Sequence, residues 1–124
     1  MNCLLVCQQH YAHLQPLSLF LKEKQVDYNI CSDSTQAIRK VRDCQYDIIV
    51  IDSEVKGIEI DTLIRLFSDY NENAKIIITT ESNSKDFESK IRREKIFYYH
   101  IRSFGLDDLF LALNAAAGKA SLQL

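Results

Sequence analysis

No apolar run in this chain approaches the roughly 20 residues needed to cross a bilayer, so no membrane-spanning helix is expected and no membrane partner. Neither sign of charge dominates. The 15 Lys and Arg against 17 Asp and Glu leave a net charge of −2, too small for strong non-specific attraction to nucleic acid or anionic lipid. The four cysteines, Cys3, Cys7, Cys31 and Cys44, contain no Cys-x-x-Cys pair, and none is followed by His at zinc-finger spacing. They read as small buried hydrophobes in a reducing compartment, with Cys3 and Cys7 on the same face of an expected strand. His10, His13 and His100 fall on different elements and show no metal-ligand spacing. Met1-Asn2 carries no basic region ahead of the short apolar stretch that follows, so no secretory signal is expected and the protein is read as cytoplasmic. No repeat, low-complexity tract or linker interrupts the 124 residues. They suit a single domain, read as 1–118 with a C-terminal tail over 119–124.

What is present centres on Asp47-Ile48-Ile49-Val50-Ile51-Asp52. Four consecutive β-branched aliphatics cannot alternate in and out, so both faces must be buried, as in a central strand of a parallel sheet. Cys3 to Cys7 and Lys75 to Thr80 read the same way, Val26 to Cys31 alternates roughly, and Ile96 to Ile101 supplies a fifth strand. Between them lie helical periodicities. Leu14, Leu17, Phe20 and Leu21 follow one another with Pro16 in the first turn. Ala37, Ile38 and Val41 follow cap candidates Asp33 and Ser34. Leu63, Ile64, Leu66 and Phe67 form a third set, and Phe87 and Ile91 lie on a basic fourth helix. Leu109, Phe110, Leu113 and Ala116 follow Asp107-Asp108, with Gly118 as the stop. Asn71-Glu72-Asn73 reads as a loop and Ser82-Asn83-Ser84 as a turn and cap. Strand and helix alternating five times predict a three-layer α/β fold, a parallel sheet with right-handed crossovers and helices on both faces.

In such sheets sites lie at the C-terminal edge of the strands. The strand ends there are Gln8-Gln9, Asp52, Thr79-Thr80 and Arg102. An acid, a hydroxyl and a cation could bind and transfer a phosphoryl group, with the carboxylate as nucleophile, the others holding phosphoryl oxygens and a metal bridging acid and phosphate. Each residue also has a plain reading: a cap or ion-pair partner for Asp52, a strand-end hydroxyl for Thr79, a core aromatic for Tyr99.

Over essentially its whole length the chain resembles the receiver domain of two-component response regulators. The resemblance rests on Asp52 followed by Gly57, Thr79 ending the fourth strand, and Tyr99-His100-Ile101-Arg102-Ser103-Phe104 ending the fifth. It implies the flavodoxin-like (βα)5 receiver fold with its parallel sheet in the order 2-1-3-4-5, a signalling module of a phosphorelay and not an enzyme, and a protein partner, a histidine kinase or another signalling protein; a homodimer is left open. It also implies roles: Asp52 as the phosphoacceptor equivalent, Thr79 as its hydroxyl partner, Arg102 in place of a lysine, and Tyr99 as a switch residue that turns inward on activation.

Departures from the family pattern shape the functional reading. Gln8 and Gln9 stand where the family has the acidic pair that anchors magnesium, so no metal site is expected; Asp52 with a backbone carbonyl near Glu54 would hold magnesium weakly. Arg102 is a planar fork and not a point charge, and it could pair bidentately with Asp52 in place of the metal. Proline is lost at Lys56 and Ser103. The expected function is a degenerate receiver working as a phosphorylation-independent protein-interaction module, with an orthodox receiver phosphorylated on Asp52 as the alternative. A flavodoxin-like cofactor binder is disfavoured because Gln8 to Leu14 lacks the glycines and clustered hydroxyls of a phosphate cradle.

Overall fold

The computed structural model describes residues 1–8, 10–81 and 84–118. Gln9, the Ser82-Asn83 part of the expected turn and the expected tail over 119–124 lie outside the described residues. The strands are β1 (Asn2–Val6), β2 (Asp27–Cys31), β3 (Ile48–Asp52), β4 (Lys75–Thr80) and β5 (Tyr98–Ile101). They alternate with α1 (Leu14–Glu23), α2 (Ser34–Asp43), α3 (Ile60–Tyr70), α4 (Lys85–Arg92) and α5 (Asp107–Ala116). All strand pairs are parallel and the order is β2-β1-β3-β4-β5, as the receiver resemblance implies.

β3 is buried along its whole length, and its residues divide between two cores. Ile49 and Ile51 join Leu4, Val6, Ile76 and Ile78 under α2, α3 and α4. Ile48 and Val50 join Cys3, Leu5 and Ile77 under α1 and α5. Each such aliphatic contributes roughly 1.5–3 kcal/mol by leaving water, which is why an uninterrupted run could only be the middle of the sandwich. Cys3 and Cys7 share the α1/α5 core. Cys44 departs from expectation: it closes α2 and is exposed.

Helix starts follow local chemistry. Asp33 Oδ1 accepts the Gln36 N–H at 2.9 Å and Ser84 Oγ accepts the Phe87 N–H at 3.2 Å, each satisfying a donor the helix cannot. β5 is shorter than expected, beginning at Tyr98 because Ile96 N–H turns back to the Glu94 carbonyl. Asn71 opens the expected loop, but its side chain is buried. It is 1 % exposed at the end of α3, accepts the Tyr46 N–H, and donates to the carbonyls of Val41 at 2.8 Å and Cys44 at 3.2 Å. One side chain thus ties α2, α3 and the approach to β3 at the N-terminal edge of the sheet. No helix among the described residues is long and apolar enough to cross a membrane.

Candidate functional site

At the C-terminal edge, β3 and β4 end side by side with Asp52 opposite Thr79, and Thr79 opposite His100 of β5. The chain then pins itself: Ser53 N–H donates to the Thr79 carbonyl at 2.9 Å and Ser53 Oγ to Thr80 Oγ1 at 2.8 Å. Beyond β3 the loop passes Gly57 at φ +113°, where a Cβ would stand 2.2 Å from Ser34 Oγ. Only glycine adopts that backbone freely and lets the loop lie against the start of α2. Lys56 and Ser103, where the family pattern has proline, are both exposed.

Asp52 is 2 % exposed and Arg102, which opens a 3-10 turn (Arg102–Phe104), reaches back to it. Arg102 Nη1 stands 3.3 Å from Asp52 Oδ1, and Nη2 stands 3.3 Å from Glu81 Oε1. The pair is a single buried contact, not the bidentate fork. Burial pushes the Asp52 carboxyl above its ordinary value, and the pull of Arg102 and the Glu54 amide only partly offsets this.

A residue the sequence reading did not single out completes the cluster. Tyr11, in the β1–α1 loop and 6 % exposed, lies within hydrogen-bond reach of Thr79, hydroxyl to hydroxyl at 3.3 Å. The Arg102 guanidinium carbon sits 5.1 Å from the centre of its ring, a cation–π contact. Burial raises the Tyr11 phenol, against the lowering effects of Thr79 and Arg102. Glu81 was also missed, although an acid directly after Thr79-Thr80 is a legible signal; an aromatic in an irregular polar loop is not.

Asp52, Thr79 and Arg102 therefore meet, whereas Tyr99 does not join them. It faces the α2/α3/α4 core, 6 % exposed, with the Phe87 ring centre at 6.3 Å and the Arg92 guanidinium carbon 5.4 Å from its own. Its hydroxyl is buried without a partner, and burial raises its pKa. His100, 1 % exposed beside Thr79, has an unpartnered Nε2, and His13 an unpartnered Nδ1. The two are close enough in space for His13 to help hold the His100 pKa down, after burial.

The residues present do not fit a magnesium site. Gln8 Nε2 donates to the Glu54 carbonyl at 3.2 Å, engaging the oxygen that would serve as a ligand, and the carboxylates of Asp52 and Glu81 both face the Arg102 guanidinium. A hard dication needs oxygens turned toward it, and no set of three His, Cys, Asp or Glu among the described residues is arranged for a metal.

No protein-family model matches the chain, and no curated protein matches it in sequence. Solved structures do match. A two-component response regulator from Clostridium difficile superposes with a TM-score of 0.84 at 19 % identity, over 96 % of this chain and 97 % of that one. The signal receiver domain of an HD-domain-containing protein from Pseudomonas fluorescens gives 0.83 at 22 %, over 94 % of each. The receiver domain of a sensor histidine kinase from Pseudomonas aeruginosa, with magnesium coordinated in its active-site cleft, gives 0.78 at 19 %, over 94 % of this chain and 97 % of that one. At these identities the likeness establishes the fold: five parallel strands and five helices arranged as in receiver domains.

Proposed function

We propose that residues 1–118 form a receiver-like signalling domain that acts as a phosphorylation-independent protein-interaction module. The observation that carries this reading is the buried contact of Asp52 with Arg102 at 3.3 Å, together with Gln8 bonded to the Glu54 carbonyl. A carboxylate can attack a phosphoryl donor only with its oxygens free and with the developing charge neutralised. Here the cation that would help is in contact with the nucleophile itself. Tyr99 adds support: in receivers this position turns inward on activation, and in this chain it already lies inward between Phe87 and Arg92. A surface already in that arrangement is available to a protein partner without a phosphoryl trigger. The partner is a histidine kinase or another signalling protein, and the setting a two-component pathway.

A second reading, an orthodox receiver phosphorylated on Asp52, draws on the same assembly, since Asp52 and Thr79 stand in register, Arg102 reaches Asp52 and one 3.3 Å contact can break. Mass spectrometry after incubation with acetyl phosphate and Mg²⁺ separates the two. The expected result is no adduct on the unaltered protein and partner binding nearly unchanged in Asp52→Asn. A stoichiometric adduct that disappears in Asp52→Asn overturns the first reading in favour of the second.

A further inference from the structure

Thr79 and Arg102 are the hydroxyl and the cation beside Asp52, and one side chain meets both. The Tyr11 hydroxyl is 3.3 Å from Thr79 Oγ1, and its ring lies against the Arg102 guanidinium at 5.1 Å. Arg102 is left 10 % exposed, with Nε buried and unpartnered, although its Nη groups face Asp52 and Glu81. A guanidinium on the surface would be solvated at every N–H. This one has an aromatic face where water would be.

We propose that Tyr11 is the plug of this cleft: its ring and hydroxyl hold Arg102 against Asp52 and cover the place between Arg102 and Thr79 that a small oxyanion would take. Three features converge on this role. Tyr11 sits outside any helix or strand, so its displacement would break no ladder bond of the sheet. Its backbone is tied only locally, Tyr11 N–H to the Gln8 carbonyl at 3.0 Å and Leu14 N–H to the Tyr11 carbonyl at 3.1 Å. Its hydroxyl meets a hydroxyl and its ring a guanidinium, groups that also bind oxyanions, while the rest of the ring packs in the α1/α5 core beside His13. When the ring leaves, Thr79 Oγ and Arg102 lose a partner each and present donors on the same side of Asp52. The ligand class is a small oxyanion such as inorganic phosphate, recognised by guanidinium and hydroxyl without a metal. The proposal rests on the receiver-type reading of the cleft and adds what controls access to it.

The test is the rate at which Arg102 is modified by phenylglyoxal, read by peptide mass spectrometry, with exposed Arg39 as the reference and alkylation of Cys3, 0 % exposed, as the sensor of global opening. In the unaltered protein Arg102 should react far more slowly than Arg39. Tyr11→Ala should speed Arg102 by about tenfold, the scale of a desolvated cation–π contact, with Cys3 unchanged. Tyr11→Phe, which keeps the ring, should stay close to the unaltered protein. Inorganic phosphate should slow Arg102 modification in Tyr11→Ala and not in the unaltered protein. Arg102 reacting as fast as Arg39 in the unaltered protein, or no faster in Tyr11→Ala, overturns the plug. Absence of phosphate protection in Tyr11→Ala overturns the oxyanion site. If Cys3 and Arg102 accelerate together in Tyr11→Ala, Tyr11→Leu decides: it fills volume without a π face, so faster modification at Arg102 alone supports the plug and an unchanged rate overturns it. A phosphoryl adduct on Asp52 bears on the functional reading instead, and Arg102 reactivity decides the plug separately.

Discussion

The two edges of the sheet handle buried polar groups in opposite ways. At the N-terminal edge, the buried Asn71 satisfies the Tyr46 N–H and the carbonyls of Val41 and Cys44, and at the exposed rim Asn2 and Asp47 exchange bonds through Asn2 N–H to Asp47 Oδ2 and Asp47 N–H to the Asn2 carbonyl, each at 2.9 Å. At the C-terminal edge the cluster around Asp52 contains a buried ion pair, with Arg102 Nε, His100 Nε2 and His13 Nδ1 buried without partners; the Tyr99 hydroxyl, on the α2/α3/α4 side, and Asn114 Oδ1 on α5 are unpartnered too. Unpartnered buried groups cost stability and are uncommon in native proteins, and they gather where a protein does something other than fold. The contrast supports the proposed placing of the working site at the C-terminal edge.

The largest expected effect breaks the satisfied edge. Asn71→Ala leaves one N–H and two carbonyls without partners, each costing about 1–3 kcal/mol. A loss of about 4 kcal/mol in urea unfolding is expected, a large part of a marginal domain's stability. A loss under about 1 kcal/mol would show that this edge is not held by its polar bonds.

Next comes the ion pair. Arg102→Met strands the Asp52 carboxylate in the protein interior, where an unpaired charge costs about 3 kcal/mol or more. Adding Asp52→Leu should remove that penalty and return the double variant to within about 1 kcal/mol of the unaltered protein, or above it, because such pairs are often no better than hydrophobic replacements. Full additivity of the two changes in a double-mutant cycle would deny the coupling that the 3.3 Å contact implies. A smaller change of opposite sign is expected at Tyr99: Tyr99→Phe removes a buried hydroxyl with no partner and should stabilise by about 1 kcal/mol, read as a higher midpoint in the same urea series. Destabilisation by that substitution would mean the hydroxyl is satisfied after all, and the contrast between the edges would rest on Arg102 and the two histidines alone.

How much of this was legible in the sequence follows the range of the interactions. The run from Ile48 to Ile51 declared a central strand because periodicity is local, and a parallel sheet covered on both faces followed from βα alternation and crossover handedness; the order 2-1-3-4-5, one of several such sheets can take, came with the receiver resemblance. The meeting of Asp52, Thr79 and Arg102 followed too, since three strand ends must share an edge. Asn71 was read as a loop residue because its partners lie 25 to 30 positions away and nothing nearby signals them. Tyr11 was invisible for the same reason: its partner Thr79 is 68 positions off, and an aromatic in an irregular loop has no period to betray which way it points. His13 and His100 were noted only as belonging to different elements, and that separation concealed their approach in the fold.

That histidine pair gives the smallest expected effect, a slope in stability against pH and not a step. Burial is the main cause of the lowered His100 pKa; His13 and Arg102 push the same way, and Asp108 on α5 opposes them. In the unfolded chain the imidazole takes a proton near its ordinary value of about 6.5. The folded protein resists that proton, so between the two values the unfolded state binds more, and stability rises with pH there. The contribution is unaffected well above the unfolded value, falls as pH drops through it, and levels off below the folded value. His13, also lowered by burial and by Arg102, slopes in the same direction. Asp52 runs the other way: its carboxyl is raised by burial, so the folded protein takes that proton first and stability rises as pH falls toward the carboxylate range. Urea midpoints should therefore fall from about pH 7.5 to about pH 5.5 in the unaltered protein. His100→Leu, which fills the site without a titrating group, should flatten that slope and leave the lower, opposing Asp52 limb in place. Equal slopes in the two proteins would mean that His100 exchanges its proton freely, and that the C-terminal edge is wetter than its unpartnered groups imply.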